Sequence, residues 1–86
     1  MKKELYEHLI SDFYDENHRN HYNLPDGLLE EAKEVQLART SEEVKDELGD
    51  VLCYVTTIAR IHGWTLSDIM TENYHKLERR EAFGKV

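Results

Sequence analysis

Two neighbouring stretches decide the fold: Gly27-Leu-Leu-Glu-Glu-Ala-Lys-Glu-Val35 and, after a short polar break, Val44-Lys-Asp-Glu-Leu-Gly-Asp-Val51. In both stretches the apolar residues recur at intervals of three and four, which is the spacing of one face of an α-helix. Each stretch also carries two acidic residues three positions apart, Glu31 with Glu34 and Glu47 with Asp50. The two stretches therefore predict neighbouring amphipathic helices with acidic side chains at matching positions.

Helical spacing extends over most of the chain and predicts four helices. We place them at about 3–17, 26–39, 41–62 and 66–80, and we predict a loop from Asn17 to Gly27, where turn-forming residues are frequent. Thr40 with Glu43, and Thr65 with Asp68, have the spacing of helix N-terminal caps. Gly63 suits the C-terminal end of the third helix. Because no strand-like alternation occurs, we predict an all-α fold, a small antiparallel helical bundle.

The bulk properties of the chain limit its possible partners. Its 86 residues predict a single domain, residues 1–86, whose small core we expect oligomerisation to complete. A net charge of −7 argues against nucleic acid or an anionic membrane surface as a partner. A single cysteine fits a reducing cytoplasm. With no apolar run of about 18 residues and no signal-like N-terminus, we expect a soluble cytoplasmic protein.

The acidic residues occupy equivalent positions on the second and third helices. At about 100° per residue, Glu47 and Asp50 lie about 60° and 120° to one side of the apolar stripe of the third helix. Glu31 and Glu34 lie at the same angles, and to the same side, on the second helix. In a packed hairpin the four carboxylates can therefore converge on one edge, where they suit a hard divalent cation. A solvated acidic surface, offset by Lys33 and Lys45, is the alternative.

The residues around the acids strengthen the case for a metal site, because they resemble a known family. Glu31-x-x-Glu34 and Glu47-x-x-Asp50, with twelve residues between them, are similar to the signature of the MazG-type all-α nucleoside triphosphate pyrophosphohydrolases. The flanking residues are similar as well: Gly27 to Val35, Glu47 to Tyr54, and Asn73-Tyr-His-Lys-Leu-Glu-Arg-Arg80. The resemblance covers a core of residues 24–80, whereas residues 1–22, an N-terminal helix and loop, carry no matching motif.

The resemblance implies hydrolysis of a nucleoside triphosphate to its monophosphate and pyrophosphate. Its metal would be Mg²⁺, with Mn²⁺ as the other candidate, held by Glu31, Glu34, Glu47 and Asp50. Glu31 or Glu47 is the candidate general base. Asn73, Lys76 and Arg80 would bind the phosphates, either in their own chain or in a partner, because the family implies a homodimer or homotetramer. Basic residues at a helix C-terminus also complement the helix dipole, which is the alternative role for Arg80.

Three questions stay open at this point. The enzyme could instead resemble phosphoribosyl-ATP pyrophosphatase, which uses similar acid pairs, or the chain could be a non-catalytic interaction module with an acidic edge. Trp64 follows Gly63 at a helix–helix corner, where it either packs or stacks on a nucleobase. Tyr54 lies on the acidic side of the third helix, where it either lines the site or meets a partner chain.

Overall fold

A computed structural model describes residues 1–17 and 24–82 of the chain, with side chains for residues 1–12 and 24–80. This part of the chain contains four helices and no strand: α1, Lys3–Asn17; α2, Leu24–Leu37; α3, Ser41–Ile61; and α4, Leu66–Ala82. The all-α prediction is confirmed. None of these helices is long and apolar enough to cross a membrane.

The predicted caps begin α3 and α4. The Thr40 hydroxyl accepts the Glu43 N–H at 3.1 Å, while the Glu43 carboxylate accepts the Arg39 N–H at 2.7 Å. At α4, Thr65 and Asp68 bond reciprocally: the Thr65 hydroxyl accepts the Asp68 N–H at 3.1 Å, and the Asp68 carboxylate accepts the Thr65 N–H at 2.9 Å. Each pair satisfies backbone donors that a helix leaves unpaired at its first turn.

The end of α3 turns the chain back on itself. Gly63 has a φ of +80°, a conformation that glycine adopts without steric cost. Its N–H donates to the Arg60 carbonyl at 2.9 Å, and the Trp64 N–H donates to the Ala59 carbonyl at 2.9 Å, the pattern of a Schellman motif. The motif holds Trp64 back against the last turns of α3.

Helix α2 begins and ends two residues earlier than predicted, at Leu24 and Leu37 instead of 26 and 39. Pro25 lies in its first turn, where the missing N–H has no helical partner in any case and the fixed φ suits the helix. Leu24 to Gly27, predicted as loop, are therefore helical. Residues 18–23 of the predicted loop lie outside the described residues.

Contacts between the helices set their directions. Later residues of α2 meet earlier residues of α3: Gly27 lies against Tyr54, and Glu31 lies by Glu47 and Asp50. Helices α2 and α3 thus form the antiparallel hairpin. On α1, Tyr6 lies near Cys53, and the Ser11 hydroxyl accepts a 2.7 Å hydrogen bond from Arg60. Since both pairs advance together, α1 runs parallel to α3.

The core is small. Its buried apolar residues in the described part are Leu24, Ala59 and Leu66. Thr56 and Thr57 are buried beside them, and their hydroxyls donate to the carbonyls four residues earlier at 2.7 and 2.9 Å. These backbone bonds allow the two threonines to be buried. Leu48 and Leu52 continue the apolar spacing of α3 but remain 51% and 43% exposed. They stay exposed because the apolar stripe of α3 is wider than the neighbouring helices cover.

Candidate functional site

Three carboxylates from two helices converge at the edge of the hairpin. Glu31 of α2 and Glu47 and Asp50 of α3 each offer an oxygen, and these oxygens all lie within 4.8 Å of one another. Glu31 and Glu47 are half-buried, and Asp50 is exposed. We call these three residues the acidic cluster. Its two helices bring together acids that lie sixteen and more positions apart in the sequence.

Close packing of α2 on α3 one turn away helps to position the acidic cluster. Gly27 precedes Glu31 by one turn and lies directly under the ring of Tyr54, which follows Asp50 by one turn. A Cβ at position 27 would lie 2.6 Å from the Tyr54 Cζ and 2.8 Å from its Oη, closer than atoms can pack. Only glycine therefore permits this approach without moving the tyrosine ring.

Burial and like charges disfavour ionisation in the acidic cluster. Partial burial raises the pKa of Glu31 above its ordinary value, and the charges of Asp50 and Glu34 raise it further. The pKa of Glu47 is raised by partial burial and then by Asp50, Glu31 and Glu34. Neighbouring negative charges thus make Glu31 and Glu47 harder to ionise, an unfavourable arrangement that a bound cation would reverse.

Lysine does not neutralise this edge through ion pairs in the described part of the chain. Lys33 lies 3.6 Å from Glu30, which is not in the acidic cluster. Lys45 lines a cleft beside Asp50 but forms no ion pair with it among the residues described. The surface alternative, in which these two lysines offset the acids, gains no support from these contacts.

The oxygens of the acidic cluster suit a small hard cation. Mg²⁺ holds oxygens at about 2.1 Å in an octahedron, so two ligands on opposite sides are about 4.2 Å apart. The 4.8 Å limit within the cluster exceeds that distance by little. Small side-chain rotations would therefore bring all three carboxylates onto one ion, with the remaining positions left for water or substrate.

Glu34, the fourth predicted ligand, lies beside the acidic cluster and is not part of it. It lines a cleft of about 300 Å³ with Glu43 and Glu47, one turn nearer the α2–α3 connection. Its charge acts on both Glu31 and Glu47. Glu34 is exposed, and its carboxylate is not among those that lie within 4.8 Å of one another.

The predicted phosphate-binding residues lie on an exposed part of α4. Every side chain from Met70 to Arg80 is exposed. Among the described residues, no hydrogen bond or ion pair joins Asn73, Lys76 or Arg80 to the acidic cluster; the ion pairs on this helix are His75 with Glu78 at 3.1 Å and Arg79 with Glu72 at 3.6 Å. Within one chain, the structure does not bring these residues together with the acids.

One residue near the site, Tyr6, is not identified by any motif in the sequence. Tyr6 of α1 is half-buried beside Cys53 and Asp50, and burial, followed by these two neighbours, raises the pKa of its hydroxyl. The first helix carries no recognisable motif, so its residues could be placed only by the way α1 packs on α3. The Arg60–Ser11 hydrogen bond, which joins residues 49 positions apart, contributes to that placement.

Comparison with known proteins agrees with the geometry of the site. The model of the MazG nucleotide pyrophosphohydrolase domain matches residues 19–83, about three quarters of the chain. The match includes all four predicted acidic ligands and the three predicted phosphate-binding residues. Searches of curated proteins and of solved structures gave no significant match. On the strength of the domain match, the chain belongs to the MazG nucleotide pyrophosphohydrolase family.

Proposed function

We propose that this protein hydrolyses a nucleoside triphosphate to the nucleoside monophosphate and pyrophosphate with the help of Mg²⁺, Mn²⁺ being the other candidate ion. The observation that carries the proposal is the convergence of Glu31, Glu47 and Asp50 within 4.8 Å, in a chain of this family. Like charges held this close, at two positions with a raised pKa, are poorly suited to an exposed protein surface. They are well suited to holding a divalent cation and the polyphosphate that it binds.

In this proposal the acidic cluster binds the ion, and Glu34 completes the set of four carboxylates after rotating towards Glu47. A bound Mg²⁺ would neutralise phosphate charge and lower the pKa of water. Glu31 or Glu47 accepts the proton of the attacking water. Both residues are half-buried members of the acidic cluster, so either would lie next to the water that the ion holds. The anhydride bond between the α- and β-phosphates breaks, and pyrophosphate leaves.

Asn73, Lys76 and Arg80 are proposed to bind the phosphates of a site in a second copy of the chain. Lys76 and Arg80 are four residues apart, so they share one face of α4, and Asn73 precedes them by one turn. Arginine offers a planar fork to phosphate oxygens, and lysine a point charge. The exposure of this whole stretch supports a role towards another chain.

A homodimer or homotetramer is part of the same proposal. The described core holds only three buried apolar residues, while Leu48 and Leu52, one turn apart on α3, are about half exposed. They lie about 40° and 80° from Val44, on the side away from Glu47 and Asp50, so an interface there leaves the acids open to substrate. Burial of such a surface is the main driving force for association. Sedimentation at several protein concentrations measures the assembly.

We further propose that residues 1–86 act as one domain in the cytoplasm, with a nucleotide as the small-molecule partner and neither nucleic acid nor membrane. Residues 1–22 would add α1, which places Tyr6 beside Asp50, and residues 24–80 would carry the metal and phosphate motifs. The excess of acidic residues supports the absence of a nucleic-acid surface.

Release of pyrophosphate from a panel of ribo-, deoxyribo- and oxidised nucleoside triphosphates tests the activity, with Mg²⁺ present and then chelated. We expect release from at least one triphosphate with Mg²⁺ and none after chelation. Glu47→Gln should abolish it, whereas Glu42→Gln, the same change at an exposed position of the same helix, should not. Release that survives chelation would contradict a metal enzyme, and no release from any triphosphate would favour a non-catalytic acidic module.

A further inference from the structure

An open cleft lies at the corner between α3 and α4, outside the acidic cluster. It has a volume of about 480 Å³ and is lined by Trp64, Asp68, Ile69 and Glu72. This volume is within the range of about 300–1,000 Å³ typical of small-molecule sites. We call it the corner cleft. Neither the metal site nor the phosphate-binding residues account for it.

Trp64 forms a fixed aromatic wall of the corner cleft. Its backbone is held by the hydrogen bond to Ala59, and its ring stacks on His62 with centroids 4.8 Å apart and planes inclined by 18°. A near-parallel stack covers one face of the indole, yet the residue is still 52% exposed. The chain thus orders a large apolar ring without burying it, which favours a planar occupant that stacks on it.

The polar lining of the corner cleft consists of hydrogen-bond acceptors. Asp68 and Glu72 are four residues apart and share one face of α4. The Asp68 Oδ2 accepts the Thr65 N–H, which orients the carboxylate and leaves its other oxygen for a ligand. Glu72 is exposed, and its contact with Arg79, at 3.6 Å, is loose. Since ionised carboxylates only accept hydrogen bonds, the occupant must donate them.

A second cleft connects this corner with the α2–α3 seam. It has a volume of about 160 Å³ and shares Trp64 and Ile69 with the corner cleft, while Leu28 and Val55 form its far wall. Leu28 precedes Glu31 by three residues and Val55 follows Asp50 by five, rises of about 4.5 and 7.5 Å along the helices. Ala59, whose carbonyl holds the Trp64 backbone, follows Asp50 by nine residues, so the acidic cluster and Trp64 are separated by about 13.5 Å along the same seam.

We propose that the corner cleft binds the nucleobase of the substrate and selects bases that carry an amino group. This inference rests on the proposed function: with the phosphates at the acidic cluster, the base extends along the seam onto Trp64. Guanine fits the acceptors best, because its N1–H and its amino group donate side by side to one carboxylate. Adenine and cytosine offer one amino group. Uracil and thymine place carbonyl oxygens beside their N–H, and these repel Asp68 and Glu72.

Trp64 is the only tryptophan of the chain, so its fluorescence reports directly on the corner cleft. The probes are α,β-methylene analogues of dGTP, dCTP and dTTP, which are not cleaved at the proposed bond, titrated with Mg²⁺ present. We expect saturable quenching, with the dGTP analogue binding about tenfold more tightly than the dTTP analogue. Equal affinity for all three analogues, or no quenching by any of them, overturns the proposal.

Variants separate recognition of the base from folding. Asp68→Asn with Glu72→Gln keeps an oxygen for the α4 cap but adds amide donors, so the preference for guanine over thymine should fall to about twofold or less. Glu78→Gln, at an exposed position on the same helix, should leave the preference unchanged. Trp64→Leu should lower kcat/KM about tenfold and Trp64→Phe should restore most of it. A double variant with an unchanged preference overturns the proposal.

The same measurements distinguish this proposal from the proposed function. If the wild-type protein releases pyrophosphate equally well from all bases, the proposed function stands and the base site is refuted. If it releases none but the analogues still quench Trp64 in the expected order, the base site stands and the activity is refuted. If Trp64 fluorescence changes only with protein concentration, a second copy occupies the corner cleft, and the proposal is wrong.

Discussion

Helices α2 and α3 bury their facing sides against each other, whereas α4 is covered only near its start, where Leu66 is buried and Ile69 half-buried. The hairpin carries the acids, and α4 carries the basic residues that the family resemblance assigns to phosphate binding. One chain therefore assembles the negative half of the proposed site and leaves the positive half exposed. The contrast shows that the hairpin is organised by contacts within its own chain, whereas the exposed part of α4 is where we propose that a second copy binds.

The largest expected effect comes from a change in the acidic cluster of the α2–α3 hairpin. Asp50→Asn removes one charge from the acidic cluster while keeping the shape of the side chain. Changing residues that merely support metal ligands typically costs about ten- to a hundredfold in metal affinity or activity, so we expect a direct ligand to cost at least a hundredfold. Steady-state release of pyrophosphate measures the loss. Activity within a fewfold of wild type would remove Asp50 from the site.

A second prediction tests whether α4 serves another copy of the chain. Arg80→Ala alone should lower kcat/KM by about ten- to a hundredfold, because a charge-assisted hydrogen bond to phosphate is lost. When Arg80→Ala and Glu47→Gln proteins are mixed and allowed to exchange subunits, each mixed dimer contains one intact site. Activity should then recover to about a quarter of the wild-type value. If no activity returns although mixed dimers form, Arg80 acts within its own chain or not at all.

A third prediction concerns the packing that closes the hairpin. Gly27→Ala forces the Tyr54 ring to move and should lower the free energy of unfolding by about 1–3 kcal/mol. Gly49→Ala is the matched control: nothing lies within 4 Å of the added methyl group, and alanine in a helix should stabilise the protein by up to about 1 kcal/mol. Urea unfolding measures both. Equal effects of the two changes would mean that Tyr54 does not constrain position 27.

The smallest predicted effect concerns pH. Because the folded state raises the pKa of Glu31 and Glu47 above the ordinary value of 4.5, it binds more protons than the unfolded chain between the ordinary and the raised values. The contribution of these groups to stability is therefore lost as pH rises through that window. Thermal unfolding in EDTA should show a steeper decline above pH 4.5 for the wild type than for Glu47→Gln.

Mg²⁺ provides the control for that experiment. At neutral pH, Mg²⁺ should raise the melting temperature of the wild type, since a ligand that binds only the folded state stabilises it. It should raise that of Glu47→Gln much less. Identical pH slopes for the two proteins, or equal stabilisation by Mg²⁺, would show that the acids do not interact as a group.

The sequence predicted what depends on local chemistry. The existence of the helices followed from the apolar spacing. Thr40 and Gly63 predicted the two ends of α3, and Thr65 predicted the start of α4, because caps are formed by residues within a few positions of one another. The convergence of Glu31 with Glu47 and Asp50 was also predictable, because a short connection forces two amphipathic helices to pack as neighbours.

Features that depend on packing between distant segments were not predictable. Nothing in α1 indicates that Tyr6 lies beside Asp50, since that depends on how α1 packs against α3. The periodicity of α3 did not distinguish Leu48 and Leu52, which stay exposed, from Val51, which is half-buried, because the pattern shows a stripe and not how much of it is covered. The early start of α2 followed from Pro25, which was assigned to the loop although it suits a first helical turn.

The central claim is that Glu31, Glu47 and Asp50 hold one divalent cation together. A crystal structure with Mn²⁺ and an α,β-methylene nucleotide tests it most directly, because the anomalous signal of manganese locates the ion independently of the surrounding model. We predict an anomalous peak bonded to oxygens of all three carboxylates and to the phosphates. A bound nucleotide with no peak among these oxygens would contradict the account.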